Sequence, residues 1–242
     1  MSLKEKNEIN YEKKKYNSSR DAFQNLMSLN IGIRLQMAQT YKDAFGGYPW
    51  FEVFQCSKCG NYSSEDTGCS YCGGVDFSEA YPIQDLVNNY FPEMVMSYAP
   101  GVLILAENHE GNLEGFSTGG GIALGHLIEK KYGGNKTILN SILSQTGLSP
   151  NSIVFYENET CISPNSQKRG MGGNLNLERL VSAKEQGFQF ICGRTVNQPW
   201  LRLKQRQMDE LGYDFISFIP EGDDYTIEGQ RRYFFLGIKR EE

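Results

Sequence analysis

One short, glycine-rich stretch of the sequence could bind a ligand through its backbone groups rather than through reactive side chains. In CISPNSQKRGMGGNL, residues 161–175, three glycines follow a lysine and an arginine and precede an apolar helical pattern. The first N–H groups of a helix have no partner within the helix and lie at its positive end. Glycines let an anion approach these groups, and the two cations raise the local potential. The stretch predicts a phosphate or pyrophosphate site, with a glycine turn that binds nothing as the alternative.

Paired cysteines form a second chemical pattern. They are Cys56, Cys59, Cys69 and Cys72, in two copies of C-S-x-C-G separated by residues 60–68. Four sulfurs at this spacing complete the closed tetrahedron of structural zinc, and iron in a rubredoxin-like site is the alternative. We interpret residues 52–76 as an inserted zinc ribbon. It either stabilises a long insertion or docks a protein or nucleic-acid acceptor.

Spacing excludes two other phosphate-binding motifs around the glycine stretch. The P-loop requires Gly-Lys followed by Ser or Thr, which the chain lacks. The dinucleotide fingerprint G-x-G-x-x-G with its downstream acidic residue does not fit the glycine spacing either.

From Ile162 to Gly172 the chain reads ISPNSQKRGMG. This resembles the acetyl-CoA loop of the GNAT superfamily of N-acetyltransferases, V-x-P-x-x-[QR]-x-x-G-x-[GA], with Ile162 in place of valine. The order of elements that follows is also similar: a helix ending at Gly187, a strand, a helix opened by Asn197 and two final strands. The resemblance covers about residues 82–240. It implies an α/β (mixed α+β) fold in which helices flank a twisted, mostly antiparallel sheet.

The resemblance also implies an activity, the direct transfer of acetyl from acetyl-CoA to an amine in a ternary complex. The pyrophosphate would lie on the loop amides and the pantetheine arm along the preceding strand, whose amides can also face a developing oxyanion. The implied cofactor-binding residues are Cys161, Ile162, Ser163, Gln167, Lys168, Arg169, Gly170, Met171, Gly172, Gly173, Asn174 and Asn197. For Cys161 a small buried hydrophobic role is the alternative.

Catalysis requires a group that removes a proton from the amine. A primary amine with a pKa near 10.4 costs about 4–5 kcal/mol to deprotonate at pH 7. The resemblance places the usual base at Tyr156 or Asn158, and neither is a strong base. Glu157 and Glu159 are adjacent, but simple alternation turns both to the opposite face, and a β-bulge would re-aim one of them. Tyr156, Glu157 and Glu159 are therefore the catalytic candidates, with an ordinary solvated or ion-paired carboxylate as the alternative for each glutamate.

The usual acid of the family is a tyrosine, and Met208 stands at that position. The protonation of the thiolate is therefore left to another group or to water. Tyr213 is interpreted as a packing residue.

Local patterns predict the elements that position these residues. The apolar spacing from Arg20 to Phe45 predicts one long helix or two joined near Ile31. Two apolar runs around a polar turn at residues 109–112 predict a hairpin. The helix after the glycine loop is expected to place on one face Leu177, Leu180, Val181 and Lys184. Residues 1–18 read as a frayed or helical polar lead-in, and residues 19–242 as one domain interrupted by the insertion.

Composition limits the function classes. The chain has 242 residues and a formal net charge of −5, which argues against a generic nucleic-acid binder. No apolar run reaches the length of a membrane span, and no secretory h-region is present, so we expect a cytoplasmic protein without membrane contact. The acceptor would be a small molecule or a protein, and a homodimer is compatible with the sequence. The alternative function is a non-catalytic module that senses CoA or binds protein or nucleic acid through the ribbon.

Overall fold

The computed structural model describes residues 12–16, 19–47, 50–227 and 230–241. Most of the expected polar lead-in lies outside these ranges. Within it, residues Glu12–Tyr16 form strand β1 rather than a frayed or helical segment. The expectation is wrong there because β1 pairs antiparallel with a buried strand, from Glu12 opposite Glu107 to Tyr16 opposite Leu103. Tertiary pairing overrides the weak local preference of this lysine-rich segment.

Helices and strands alternate in the mixed pattern expected. The helices are α1 Ser19–Ser28, α2 Ile31–Gly46, α3 Ile83–Asp85, α4 Phe91–Met96, α5 Leu124–Tyr132, α6 Lys136–Thr146, α7 Met171–Glu185 and α8 Gln198–Glu210, with a π-helical turn Leu86–Tyr90 joining α3 to α4. The remaining strands are β2 Phe54–Cys56, β3 Tyr62–Ser63, β4 Phe77–Glu79, β5 Gly101–Glu107, β6 Leu113–Ala123, β7 Ile153–Ile162, β8 Phe190–Thr195, β9 Tyr213–Phe218, β10 Thr226–Ile227, β11 Gln230–Arg231 and β12 Tyr233–Lys239.

Asn30 separates the first two helices. Its side-chain Oδ1 accepts a hydrogen bond from Gly32 N at 2.8 Å and caps α2. The apolar stretch therefore forms two helices joined just before Ile31, as one of the two alternatives predicted. None of the helices in the described ranges combines the length and apolarity needed to cross a bilayer.

A seven-stranded sheet in the order β1-β5-β6-β7-β8-β12-β9 forms the centre of the fold. All its neighbours are antiparallel except β7 and β8. That parallel pairing is limited to Phe155 opposite Ile191 and Tyr156 opposite Cys192. Because β7 continues to Ile162 and β8 to Thr195, the two strands diverge and leave a cleft in the middle of the sheet.

Two apolar cores cover the two faces of the sheet. Alternate residues of β5 show the division, because Leu103 packs with the core of α2, α4 and α5 whereas Val102 packs with the core of α7 and α8. We call these the α2 face and the α7 face. Met208 and Tyr213 are fully buried in the α7-face core. The packing role expected for Tyr213 is confirmed, and its hydroxyl donates to Phe188 O at 2.8 Å.

Three consecutive glycines at residues 119–121 lie within β6, where close backbone contacts require them. A Cβ on Gly120 would stand 2.6 Å from Pro100 O, and one on Gly121 would stand 2.7 Å from Ala99 O. Any larger residue would push the segment that follows α4 away from the sheet.

Candidate active site and metal centre

A β-bulge in β7 determines where its two glutamates point. Thr118 of β6 pairs with Glu159, but the next residue, Gly119, pairs with Glu157. Asn158 is therefore the extra residue of the bulge. The alternation of β7 shifts by one at this point, so that Glu157 faces the α7 face and Glu159 faces the α2 face. The bulge considered from the sequence is present, and it re-aims Glu159 to the side of Tyr156.

The guanidinium of Arg179, on α7, fixes the bulge. Its Nη1 donates to Thr118 O at 2.8 Å and to Glu159 O at 2.6 Å, and its Nη2 donates to Glu157 Oε2 at 2.5 Å. Arg179 is 2% exposed. One buried side chain thus ties together both strands and both carboxylate-bearing residues.

Glu157 belongs to a buried ion cluster. Its Oε2 contacts Arg179 and also Lys204 Nζ from α8, and Asn176 Oδ1 accepts from both cations. Lys204 is 1% exposed. Glu157 is therefore the ion-paired strand carboxylate named as its alternative, and a carboxylate held by two cations is a poor base.

Glu159 has a different environment on the α2 face. Its Oε1 accepts a hydrogen bond from Tyr90 Oη at 3.2 Å, and Tyr90 Oη accepts one from Tyr41 Oη at 3.0 Å. Burial raises the pKa of Glu159, and the nearby cations Lys131 and Arg194 oppose this only in part. Within the described ranges Glu159 has no ion-pair partner, so its carboxylate is free to accept a proton.

Tyr156 lies beside Glu159 with two cations around its ring. Its Oη accepts from Arg194 Nε at 3.2 Å, and Lys131 Nζ lies 5.5 Å from the ring centroid. The side chain of Asn158, the bulged residue, accepts from Tyr98 Oη at 3.3 Å.

A cavity of about 490 Å³ joins the cleft to the cysteine-rich segment. Gly172, Asn197 and Trp200 line it near the glycine loop, and Glu159 and Tyr90 line it beside the bulge. Its remaining wall includes Glu52, Tyr62, Tyr81 and Tyr225. This volume lies within the range of ordinary small-molecule sites.

The glycine loop leaves the start of α7 open. Gly170 precedes the helix at φ +83° and provides no side-chain cap. Residues 167–170 and Asn174 are exposed, and Gly172 and Gly173 are half-buried. Met171 is the exception, because its side chain is 1% exposed and packs in the α7-face core. The first N–H groups of the helix can therefore receive an anion.

The edge of β7 presents only some of its backbone groups to the cleft. Ser163 N donates to Glu114 O, so the backbones of Ser163 and, by alternation, Cys161 face β6. Those of Ile162 and Thr160 face the cleft, where Gln167 Nε2 donates to Ile162 O at 3.2 Å. Thr160 and Ile162 are therefore the residues of the edge 160–163, implied by the resemblance, whose backbones face the cleft.

The side chains of the two isolated cysteines and of Asn197 have structural partners. Cys161 and Cys192 are fully buried, and burial raises the pKa of the Cys161 thiol, which makes it a packing group. Asn197 Oδ1 accepts a hydrogen bond from Trp200 N at 3.1 Å and so caps α8. Asn197 also lines the cavity.

Four cysteine sulfurs meet in the small sheet β3-β2-β4. All four Sγ atoms lie within 4.8 Å of one another, with Cys56 to Cys72 at 3.6 Å and Cys59 to Cys69 at 3.5 Å. A tetrahedron with Zn–S bonds of about 2.3 Å places its sulfurs about 3.8 Å apart. Each C-S-x-C-G copy forms the same turn, with Gly60 N donating to Cys56 O and Gly73 N to Cys69 O at 2.8 Å. The donor set and its geometry fit a tetrathiolate metal site.

This small sheet, with the residues on either side of it, forms one wall of the cavity. Glu52 precedes β2, and its carboxylate accepts hydrogen bonds from Tyr81 Oη and, at 3.0 Å, from Tyr225 Oη. The rings of Tyr62 and Tyr81 stack with centroids 5.7 Å apart. We refer to residues 52–81 as the metal module.

The comparisons with known proteins concern the fold. No protein-family model matches the sequence, and no curated protein matches it. Among solved structures, a mosquito arylalkylamine N-acetyltransferase-like protein superposes with a TM-score of 0.52 over 93% of this chain and 99% of that chain, at 11% identity. A putative acetyltransferase from Acinetobacter baylyi gives 0.49 at 12% identity, over 96% of this chain and 93% of that one. The chain therefore has the GNAT fold, a mostly antiparallel α+β sheet flanked by helices.

Proposed function

We propose that this protein is an acetyl-CoA-dependent N-acetyltransferase that acts on a small primary amine through a ternary complex. The observation that carries the proposal is the cleft between β7 and β8, which opens beside the uncapped, glycine-rich start of α7. A diphosphate fits the open N–H groups of that helix start, with Lys168 and Arg169 adding positive charge. The edge of β7 at Thr160 and Ile162 offers N–H and C=O groups to the amide-containing arm of CoA.

We assign the proton-accepting role to Glu159. It faces the cavity, it is free of ion pairs among the described residues, and its raised pKa increases its affinity for a proton from the incoming amine. The backbone N–H groups at the bulge and along the β7 edge lie where they can stabilise negative charge on the thioester oxygen. To Tyr156, which lines the same cavity, we assign the return of a proton to the leaving sulfur.

We further propose that Cys56, Cys59, Cys69 and Cys72 hold a structural zinc ion. Four thiolates close the coordination sphere, so the ion would stabilise the metal module rather than take part in chemistry. Native mass spectrometry and elemental analysis of the purified chain should find one zinc ion, and iron would identify a rubredoxin-like site.

The activity is tested by mixing the full chain with acetyl-CoA and a panel of primary amines. Free CoA thiol should appear together with an acetylated amine of the expected mass. Initial rates at varied concentrations of both substrates should give intersecting reciprocal plots, and intact mass without amine should show no acetyl-enzyme. Tight acetyl-CoA binding without turnover of any amine would instead support the CoA-sensing alternative.

A further inference from the structure

Three cations line the cavity on the α2 face, close to Glu159. They are Lys131 at the end of α5, Arg194 on β8 and Arg232 just before β12. The guanidinium carbons of Arg194 and Arg232 each lie 5.0 Å from the ring centroid of Tyr132. The three side chains therefore form one basic patch, which we call the cation wall.

Only one member of the cation wall is neutralised. Arg232 forms a two-point pair with Asp223, at 3.1 Å from Nε and 3.0 Å from Nη2. Within the described part of the chain, neither Lys131 nor Arg194 has a carboxylate within ion-pair distance. Arg194 donates to two neutral oxygens, Tyr156 Oη at 3.2 Å and Lys131 O at 3.0 Å, and its Nη2 has no acceptor there.

Glu159 compensates Arg194 and Lys131 only at a distance, because both cations lower its pKa but neither forms an ion pair with it among the described residues. Removing a guanidinium from water loses hydration that neutral acceptors replace only partly. The planar guanidinium with an unused Nη2 matches the geometry of a carboxylate or phosphate, and the ammonium of Lys131 adds a point charge. The cation wall is thus organised to receive an anionic group.

The anionic groups of CoA are an unsuitable occupant. The start of α7, which follows Lys168 and Arg169, lies on the opposite face of the sheet from α5. The proposed base Glu159 instead shares the α2 face with Tyr156, whose ring the two unpaired cations flank. A molecule that brings its amine to Glu159 places its remaining atoms beside the cation wall.

We propose that the acceptor is a primary amine that also carries a carboxylate or a phosphate, with the anionic group bound between Arg194 and Lys131. This rests on the proposed acetyltransferase function. Glu159 and Glu52, with the tyrosines around them, supply acidic groups to the cavity, and the cation wall supplies basic ones. Such a cavity suits a zwitterion better than a simple alkylamine.

The test compares amines matched in length. The probes are butylamine, putrescine and 4-aminobutyrate for the carboxylate arm, and ethanolamine and phosphoethanolamine for the phosphate arm. For at least one arm, kcat/KM of the wild type should be about 10- to 100-fold higher for the anionic amine than for its neutral or cationic counterparts, the range expected for hydrogen bonds to a charged group. The arm that shows the preference identifies the anion.

Variants distinguish binding of the acceptor from a general effect. Relative to its effect on butylamine, each of Lys131→Met and Arg194→Met should lower kcat/KM for the anionic amine about 10-fold or more. The comparison with butylamine is needed because Arg194 also donates to Tyr156 Oη. Lys130→Met is the matched control, because this neighbouring lysine pairs with Glu93 at 3.1 Å and does not line the cavity. If circular dichroism shows that Arg194→Met is misfolded, Lys131→Met carries the test, because Lys131 is only half-buried at a helix end.

A binding measurement separates this inference from the proposed function. Titration calorimetry without acetyl-CoA should detect binding of 4-aminobutyrate or phosphoethanolamine to the wild type, and Lys131→Met should abolish that binding. This readout does not require any amine to be acetylated. Equal use of neutral and anionic amines, an equal loss for both in the variants, or the absence of binding for every anionic amine would overturn the inference.

Discussion

Glu157 and Glu159 are separated by one residue in β7, yet their carboxylates lie on opposite faces of the sheet. The extra residue Asn158 produces this arrangement, and Arg179 fixes it by donating to Glu159 O at 2.6 Å and to Glu157 Oε2 at 2.5 Å. One carboxylate is consumed by a buried ion cluster and the other is left free in the cavity. Neighbouring residues of the same type therefore have separate roles that different experiments can resolve.

Glu159→Gln should reduce kcat about 10²- to 10⁴-fold, because the amide cannot accept the amine proton. The Kd of acetyl-CoA should stay unchanged, since Glu159 does not belong to the loop. The measurement is steady-state thiol release with calorimetry for acetyl-CoA. Glu129→Gln, at an exposed position of α5, serves as control and should retain wild-type kcat. A kcat within threefold of wild type would exclude Glu159 as the base.

The raised pKa of Glu159 has a consequence for stability against pH. Burial raises it above the ordinary 4.5, so the folded state holds the proton more tightly than the unfolded state. The folded state is therefore favoured below pH 4.5 and loses this contribution as pH rises through the raised pKa. Glu159→Gln removes this loss of stability, so the variant should melt at a higher temperature than wild type at pH 8. The expected rise is about 2–4 °C for each kcal/mol of free energy of unfolding that the wild type loses. The difference should vanish near pH 4, and a variant that melts below wild type at pH 8 would contradict the assignment of burial as the cause.

Glu157→Gln should destabilise the fold, whereas Glu159→Gln stabilises it at pH 8. It leaves Arg179 and Lys204 buried without their shared carboxylate, which costs about 3–5 kcal/mol. Denaturant unfolding at neutral pH measures the loss. Asp209→Asn breaks the exposed pair with Arg240, which solvent screens, and should change the free energy of unfolding far less than Glu157→Gln. Equal costs for the two variants would mean that the buried cluster contributes no more than a surface pair.

Gly172→Ala tests the glycine loop without disturbing the fold. The new Cβ would meet Ile162 and Trp200 at 3.6 and 3.7 Å, which is ordinary contact, and alanine favours the helix by about 0.5–1 kcal/mol. The variant should be slightly more stable but bind acetyl-CoA at least about fivefold more weakly, because its methyl group narrows the approach to the N–H groups. Calorimetry and thermal unfolding give the two values.

Gly46→Ala provides the matched control for this substitution. Gly46 ends α2, and its new Cβ would meet Val53 Cγ2 at 3.8 Å, away from the loop. It should leave acetyl-CoA binding unchanged. If Gly172→Ala also left binding unchanged, the diphosphate would have to lie elsewhere.

Loss of the proposed zinc ion should weaken binding of the acceptor more than binding of acetyl-CoA. Glu52, Tyr62 and Tyr81 of the metal module line the cavity, whereas the loop is on α7. Cys59→Ser, or chelation, should raise the acceptor KM about tenfold or more and leave the Kd of acetyl-CoA within twofold. Ser57→Ala, exposed between two of the cysteines, should change neither value nor the metal content. An equal loss of both affinities would indicate general unfolding instead.

The sequence predicts elements whose cause is local. The hairpin of β5 and β6, the helix junction near Ile31, the glycine loop and the cysteine pairs all depend on residues close in the chain. Sharing a face does not make residues of α7 equally buried: on the predicted face Leu180 is buried but Lys184 is exposed, and the polar residues Asn176 and Arg179 are buried. Periodicity assigns polar residues to solvent, and it cannot predict that Arg179 is buried by pairing with the carboxylate of Glu157 on β7.

The features that the sequence left open or did not indicate depend on distant contacts. The bulge at Asn158 depends on Arg179, and the cation wall joins α5, β8 and the segment before β12. No local pattern distinguishes Arg194 or Lys131 from surface cations. A hint was present in β8, where an arginine interrupts an otherwise apolar strand.

Both ends of the metal module reach the same cavity, through Glu52 at its entry and Tyr81 at its exit, and they are hydrogen-bonded to each other. The segment between them is anchored by the cysteine sulfurs and contributes nothing to the sheet that carries the bulge. Exchange of the metal module as a unit would therefore change the wall of the cavity proposed to admit the amine, while the bulged sheet and the glycine loop stayed unaltered.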